Sequence, residues 1–571
     1  MSLKTSEAPA QTADAASRRR VLVPLSGLLL GMFVAMLAST VVSSSLPKII
    51  GDLGGTQAGF TWVVTSTLLA TTVSTPIWGK LADLTNRKLL IQLSLLIFIV
   101  GSGLAGLAQN TEMLIFFRVL QGLGAGGLTA LVQVVMADII PPRERGRYMG
   151  LLGAVMAVAT VGGPLLGGVI TDSIGWRWNF YIAVPFAIAA IVVLQRTLHI
   201  PTHKRKVRID YLGAALIAAG VSLLLIWVTL AGSDFEWLSA TSILMVVGAV
   251  VLLGLAVLTE LKVKEPIIPM GLFKNRTFWL AVVASISVGV AMFGTSVFLS
   301  QYMQLARGKT PTESGIYTIP MIAGVLVSSI VIGQVISRTG KWKRYMVTGS
   351  VLLTIGLALM GTIRYDTSFA LVFVYMFVMG AGVGMVMQNL VLIVQNAVDP
   401  RQIGTASASV AFFRSLGGTI GVSVMGAVLG SRITSLVADG LAKLGIDPSQ
   451  TGGLSSGAIP DLSTLPEPVR ILVESAYGEA VADVFLIAVP LAVISIIAIA
   501  LLPNRALGTK TSAEQIAEQE KAASIMVAVS GAEVAADTEG IPLEDAESEA
   551  GAANEEAGPA NEEAETADRS R

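Results

Sequence analysis

Fourteen stretches of this chain are long and apolar enough to cross a bilayer, and that limits the fold more than any single residue does. They lie at 22–46, 60–79, 89–108, 114–138, 148–171, 178–198, 211–231, 238–260, 278–302, 315–336, 345–363, 369–393, 405–430 and 480–502. Crossing ~30 Å of hydrocarbon takes about 20 residues of helix. Backbone in hydrocarbon must satisfy its own hydrogen bonds, and these stretches lack the alternating period of a barrel strand. An all-α integral membrane protein with 14 transmembrane helices is therefore expected. Composition points the same way: 53% of residues are hydrophobic and only 14% charged, and the charges gather in short clusters instead of covering every segment. The first stretch follows Arg18, Arg19 and Arg20 and has no small-residue cleavage site, so it reads as an anchor that stays.

The stretches repeat one design. GKLADLTNRK at 79–88 is answered by GQVISRTGKW at 333–342, an offset of 254 residues. Gly122, Gly124, Gly126, Pro142, Arg143, Gly146 and Gly163 recur as Gly380, Gly382, Gly384, Pro400, Arg401, Gly404 and Gly421, an offset of 258. Two similar helical halves joined end to end are a common build for secondary transporters, with the substrate path at the seam between them. The expected organisation is a cytoplasmic tail (1–20), a six-helix bundle (21–200), an inserted helix pair with its loops (201–275), a second six-helix bundle (276–503) and an acidic tail (504–571). Residues 431–478 read as one long outer loop. Lys and Arg concentrate in the even-numbered connections, including Arg143, Arg145 and Arg147 and the Lys204-Arg205-Lys206 run, which places both termini in the cytoplasm. From Glu533 to Asp568 the tail holds 13 acidic residues and almost nothing large and apolar, so disorder is expected there.

Several function classes fall away. The absence of cysteine removes disulfide scaffolds and thiolate metal sites. His199 and His203 share a lysine-rich loop and read as part of a solvated basic connection, so no metal and no cofactor is expected. The only Gly-Lys-Thr, at 308–310, has Met303 where a phosphate-cradling loop needs its first glycine, which excludes an ATP-driven pump. No cluster of His, Glu or Cys lies at membrane depth, as a membrane enzyme would require.

The motifs suggest a gate and a hinge. Asp83 ends one helix and Arg87-Lys88 opens the next, so an acid and a basic pair sit in one tight loop suited to a latch that closes in one state and breaks in the other. The run GPLLGG at 163–168 lies inside the fifth stretch, where proline deletes a helix hydrogen bond and glycines admit close backbone contact. Arg118 lies inside the fourth stretch, three residues before Gln121 on the same face. A cation there costs roughly 2.5–3.5 kcal/mol to insert, so it should face protein or water and have a task.

Taken together and in order, GKLADLTNRK, RVLQGLGAGG, ADIIPPRERGRYMG, GPLLGG and GWRWNFYIAVP resemble the motif set of the major facilitator superfamily. Fourteen stretches with GPLLGG in the fifth resemble its drug:proton antiporter branch of multidrug exporters, over about residues 20–503. Asp210-Tyr-Leu-Gly213, Glu265-Pro266 with Leu272-Phe273, and Arg414-Ser-Leu-Gly417-Gly418 are further strings similar to that branch. The resemblance implies two bundles rocking about a central cavity, with stretches seven and eight as a peripheral pair. It implies an inner-gate latch at Asp83, Arg87 and Lys88 with Asp138 nearby, a proton-linked arginine at Arg118, and a hinge at Gly163, Pro164 and Gly167.

The departures carry weight too. The branch usually has an aspartate in its first helix; here that position is Ala38. A buried carboxylate there would carry a proton and balance a cationic drug, so neutral and anionic amphiphiles stand level with cations as substrates. The gate loop has Leu84 and Asn86 where the family prefers Arg and Gly, and the second copy has Ser337 in place of the acid, so latching should rest on the first half. For proton movement there remain Asp483, either titrating or a hydrated surface residue, and Arg118, either proton-linked or bonded to backbone carbonyls. Arg414 is a mid-helix cation facing either an anionic substrate or carbonyls. Candidate cavity residues are Thr40, Trp62, Gln133, Tyr302, Gln388, Asn389 and Phe412, with Ser39, Ser43, Thr65 and Gln301 beside them. Rings, amides and hydroxyls suit a broad amphipathic ligand, and Met385 and Met387 add adaptable surface.

The reading is a proton-coupled exporter of amphipathic compounds, antibiotics among them, in the cytoplasmic membrane. Its expected partners are small amphipathic molecules, protons and membrane lipids, without nucleic acid, and it is expected to be a monomer. The alternatives are a dedicated exporter of a lipid, siderophore or metabolite, and a transport-inactive sensor or scaffold.

Overall fold

The computed structural model describes residues 8–53, 57–198, 210–231, 235–263, 265–309, 311–444, 466–512, 514–519 and 521–524. His199, His203, the Lys204–Lys206 run, residues 445–465 and the acidic stretch from Glu533 to Asp568 lie outside them. Among the described residues up to Ala500 there are sixteen α-helices, and no described residue lies in a named strand. The first half holds α1 (Ala8–Asp52), α2 (Gln57–Leu84), α3 (Arg87–Gly106), α4 (Thr111–Ile139), α5 (Pro142–Ser173), α6 (Trp178–Tyr181) and α7 (Ala183–Thr197). Then come α8 (Tyr211–Leu230) and α9 (Ala240–Lys262). The second half holds α10 (Arg276–Gln301), α11 (Pro311–Tyr317), α12 (Ile319–Thr339), α13 (Lys343–Met360), α14 (Phe369–Ala397), α15 (Ile403–Lys443) and α16 (Glu467–Ala500). Among the described residues eleven segments are long and apolar enough to cross a membrane, and α2, α5 and α13 pack among them as rods of similar length.

Local chemistry sets the boundaries. Asn86, Asn110, Asp210, Ser239 and Asn275 cap their helices by accepting a backbone N–H two or three residues on, which satisfies amides that the helix leaves free. Gly340 ends α12 at φ 68°, a left-handed turn that favours glycine. One expectation needs correction: residues 431–478 are not one loop. The helix α15 continues to Lys443 and α16 begins at Glu467, because Ile433, Val437 and Leu441 keep a helical spacing and are buried in one apolar cluster with Val469 and Val473. The amino-terminal segment also differs from a plain polar tail, since its backbone is helical from Ala8.

The two halves share one internal plan. In the first, α1 packs on α5 and α7, α2 on α4, and α3 on α4 and α7; in the second, α10 packs on α15 and α16, α12 on α14, and α13 on α14 and α16. The seam obeys the same correspondence, with α5 against α12 and α15 against α2. The pair α8–α9 stands outside this plan. It leans on α2 and α15 through Ile217, Val221 and Leu225, which cluster with Val73 and Phe412.

Four of the glycines repeated in the sequence touch at the seam. A methyl group on Gly333 would stand 2.3 Å from the carbonyl oxygen of Gly146, and one on Gly79 would stand 2.8 Å from that of Gly404. Neither helix pair can approach this closely with a side chain between the backbones. Residues from Lys510 onward form a separate unit, whose described part is helical at 514–519 and 521–524 with an ion pair between Lys510 and Glu518. Gly333→Ala is expected to force α5 and α12 apart, at a cost of about 1–3 kcal/mol to the closed seam. The chain has no cysteine. A single reporter at Ser407→Cys should therefore show maleimide labelling that rises about 10-fold in the variant; unchanged labelling would mean that the glycine contact does not govern closure.

Candidate functional site: the seam between the halves

The last turn of α2 carries Asp83 across the seam. Its Oδ1 accepts the Gly404 amide at 2.8 Å, and its Oδ2 accepts the Thr405 amide at 2.8 Å and the Thr405 hydroxyl at 2.7 Å. These amides open α15, where the helix supplies no acceptor of its own and its dipole presents partial positive charge. With its side chain only 5% exposed, the carboxylate depends on these donors. Arg87, opening α3, stands 3.7 Å from Asp83 and forms a close ion pair with Asp138 of α4. The acid therefore ties the two halves together, while the Arg87–Asp138 pair keeps the balancing cation inside the first half. Lys88 takes no part: its Nζ donates to the Gln195 carbonyl of α7 at 2.7 Å, away from the seam.

Two further ties at the same end were not anticipated. Arg145, fully buried in α5, donates from Nη1 to Gln395 Oε1 of α14 at 2.6 Å and from Nη2 to the carbonyls of Ala137 and Ile140 at 2.9 Å. The Gln395 Nε2 in turn donates to Ser407 Oγ at 2.8 Å and to the Gln133 carbonyl at 3.3 Å. Arg145 sits in a basic run that in the sequence serves only to orient the chain; its one distinguishing mark is that the residue 258 positions later is Ile403, so it stands outside the repeated pattern. The second tie is the segment following α16. The carbonyls of Leu502 and Arg505 accept from Lys343 and Trp342, both at 2.8 Å. Asn396 of α14 binds the Ala506 carbonyl at 3.0 Å and the Gly508 amide at 2.9 Å, and the Gly508 carbonyl accepts the Arg143 amide of α5 at 2.9 Å. This stretch straps both halves at the Asp83 end.

Deeper in the seam, Gln133, Gln388, Asn389 and Arg414 lie buried on α4, α14 and α15. Gln388 Nε2 reaches Met156 Sδ of α5 at 3.3 Å, Asn389 donates to the Met385 carbonyl at 2.7 Å, and Arg414 to the Met387 carbonyl at 3.4 Å. The side-chain oxygens of Gln133 and Gln388 are buried without a hydrogen-bond partner, so unused acceptors face this interior. Arg118 donates to Gln121 Oε1 at 2.7 Å and to the Val63 carbonyl at 3.3 Å, and Gln121 passes the chain on to Ser102 at 2.7 Å. That network joins α4 to α2 and α3 and contains no carboxylate.

The remaining candidates do not converge there. The Thr40 hydroxyl donates to the Ala159 carbonyl of α5 at 3.0 Å, and a methyl on Gly163 would collide with Thr40, so α1 and α5 are pressed together at this point. The Gly167 carbonyl accepts Ser45 at 3.1 Å, and α5 runs helical through Pro164. Tyr302 opens a π-helical turn and bonds the Arg364 carbonyl at 2.8 Å, Phe412 packs toward α8, and Trp62 is half-buried on α2. Asp483 pairs with Arg432 of α15 at 2.7 Å on a partly exposed face of the second half.

Comparison with known proteins completes this picture. The family model described as Major Facilitator Superfamily matches residues 28–422. The chain belongs to the major facilitator superfamily. Among relatives of this superfamily, an uncharacterized MFS-type transporter of Mycobacterium tuberculosis is 37% identical over 496 residues, 85% of this chain and 69% of the relative. Multidrug transporter protein MdtP of Bacillus subtilis is 36% identical over 427 residues, 74% of this chain and 78% of its own. The crystal structure of the human organic anion transporter MFSD10 matches with a TM-score of 0.55 at 14% identity, covering 83% of this chain and 99% of that one, which establishes likeness of fold. A multi-pass membrane transporter of the major facilitator fold is thus the setting of the seam.

Asp83→Asn keeps the shape of the side chain but gives up its charge and turns one acceptor into a donor facing amide donors. Losing charge-assisted bonds at a helix terminus is expected to weaken seam closure by about 2 kcal/mol. The Ser407→Cys reporter should then label faster in Asp83→Asn and at the original rate in Lys88→Gln; equal acceleration in both would remove the latch assignment.

Proposed function

We propose that the protein is a proton-coupled antiporter that exports amphipathic compounds by alternating access, with the Asp83 end of the seam as its inner gate. The observation that carries this is the seam itself: two halves of one plan, joined at one end by contacts that are individually weak, polar and reversible. In this reading all fourteen rods cross the cytoplasmic membrane, both termini are cytoplasmic, and the state described here is closed toward the cytoplasm. The clustering of Lys and Arg in the connections at the Asp83 end supports that orientation. Opening the gate requires Asp83 to leave the amides of α15, with Arg87 3.7 Å away to receive its charge.

Export of several unrelated compounds is supported by the likeness to a relative named as a multidrug transporter and by the character of the seam interior. Methionines, buried amides with unused acceptors and a cation held only by carbonyls and amides make a surface that repacks around varied shapes. Ala38 is buried at 2% exposure in the apolar core of the first half, so α1 offers no counter-charge to a cationic drug at that depth.

Inverted vesicles holding an acid interior test the reading, with cationic, neutral and anionic amphiphiles added in turn and Arg118→Ala as control. Several compounds should dissipate the gradient in the native protein and none in the control. A single responsive compound would identify a dedicated exporter, and no response from folded protein would overturn antiport.

A further inference from the structure

The inserted pair α8–α9 brings two buried carboxylates together beside the gate. Asp210 caps α8, its Oδ1 accepting the Gly213 amide at 2.8 Å; Glu260, in the last turn of α9, accepts the Ile268 amide through Oε2 at 3.1 Å. The two residues are 7% and 3% exposed. The second oxygen of each, Asp210 Oδ2 and Glu260 Oε1, is buried without a hydrogen-bond partner. Both orphans point at the same place, because a methyl on Gly213 would stand 2.2 Å from the Asp210 oxygen and 2.8 Å from the Glu260 oxygen. Glycine at 213 thus leaves the space into which both carboxyl groups reach. Asp210-Tyr-Leu-Gly213 is a motif for which the gate and the seam provide no task.

Two ionised carboxylates left unpaired in one buried pocket repel each other and lack solvation, whereas a shared proton removes one charge and satisfies both orphan oxygens with one O–H···O bond. We propose that Asp210 and Glu260 form a carboxyl–carboxylate pair that binds one proton. This deepens the antiport reading, on which its place in the transport cycle rests. The geometry also connects the pair to the gate. Glu260 lines a cleft of about 460 Å³ with Lys80, Asp83, Glu265, Asp399, Arg401 and Thr405, so the charged groups around it come from α2, from the linker after α9 and from the turn before α15. Lys80, 6% exposed and bonded to Glu265 at 2.8 Å, stands three residues before Asp83 on the same helix. Movement of α2 away from α15 therefore changes the distance between a buried ammonium and the pair. Bringing Lys80 nearer favours release of the proton, and withdrawing it favours uptake.

Infrared difference spectra of the full chain in lipid nanodiscs, stepped through pH in potassium and in sodium buffers, test the pair directly. The native protein should show at neutral pH a protonated-carboxyl band that shifts in deuterium oxide and titrates away on alkalinisation. Both Asp210→Asn and Glu260→Gln should abolish that band or move its titration to lower pH, since each removes the like charge and leaves the partner an amide donor. Gly213→Ala, which keeps both acids but fills their pocket, should also displace it. The proposal is overturned if the native band is absent, if it survives unchanged in both acid variants, or if sodium alone removes it at neutral pH, which would make the site a metal-cation site. Proton flux in the same preparations separates the two readings. An intact band behaviour without flux removes antiport and leaves the pair; flux with a band indifferent to both acid variants removes the pair and leaves antiport.

Discussion

The contact on which the closed seam most depends is one carboxylate set against the first amides of a long helix. Asp83 is nearly excluded from water, so the three hydrogen bonds it accepts from Gly404 and Thr405 cannot be exchanged one at a time with solvent. They hold or release together, which makes the end of α2 a two-state element. The arrangement is also reversible. Were Asp83 to leave α15 with no cation near it, a buried unpaired charge would make the step prohibitive. Arg87, anchored by Asp138, waits beside it and limits that cost.

Close packing and charge divide the work differently between the halves. Both copies of the repeat supply the glycines that let α2 meet α15 and α12 meet α5, so steric closeness is symmetric. Electrostatics is not: the position equivalent to Asp83 is Ser337, and polar closure on that side comes from Arg145 bonding Gln395. The guanidinium there is satisfied entirely by carbonyl and amide oxygens, which binds it firmly without committing another carboxylate. A gate with a different lock on each side separates in an ordered manner, since only the Asp83 side answers to a change of charge.

The sequence made the skeleton legible and left the locks obscure, for physical reasons. Helices in hydrocarbon announce themselves by length and apolarity, and their ends by caps such as Asn86 and Asp210, because both signals are local. The repeated glycines marked helix contacts without saying with whom, and the structure pairs Gly146 with Gly333 and Gly79 with Gly404. Arg145 counts in the sequence only as one of the cations of a connection, because a buried arginine and a loop arginine look alike until their neighbours are known. The strap from Leu502 to Gly508 escaped notice because its bonds run from backbone groups, which carry no side-chain signature. Residues 431–443 were misjudged because a glycine and scattered charges masked a helical spacing of Ile433, Val437 and Leu441 that is visible once α16 is beside it.

The placement of buried charge bears on what the transporter moves. The apolar stretch 22–46 of α1 has no acid, and two cations buried inside the helices, Arg118 and Arg414, are held by neutral oxygens. In the proposed export reading, positive centres without an embedded negative one among the described residues favour ligands that bring acceptors or negative charge over a lipophilic cation. The acids named above stand away from that interior: Asp83 and Asp138 at the inner end of the seam, Asp210 and Glu260 under the inserted pair, Asp483 bound to Arg432. In the proposed antiport reading, coupling between a proton and a substrate does not use competition for one carboxylate in the cavity. In that reading it passes through the proposed gate, where α2 carries both Asp83, bonded across the seam, and Lys80, which lines the same cleft as Glu260, so that binding at one place is felt at the other as a change in the position of a helix.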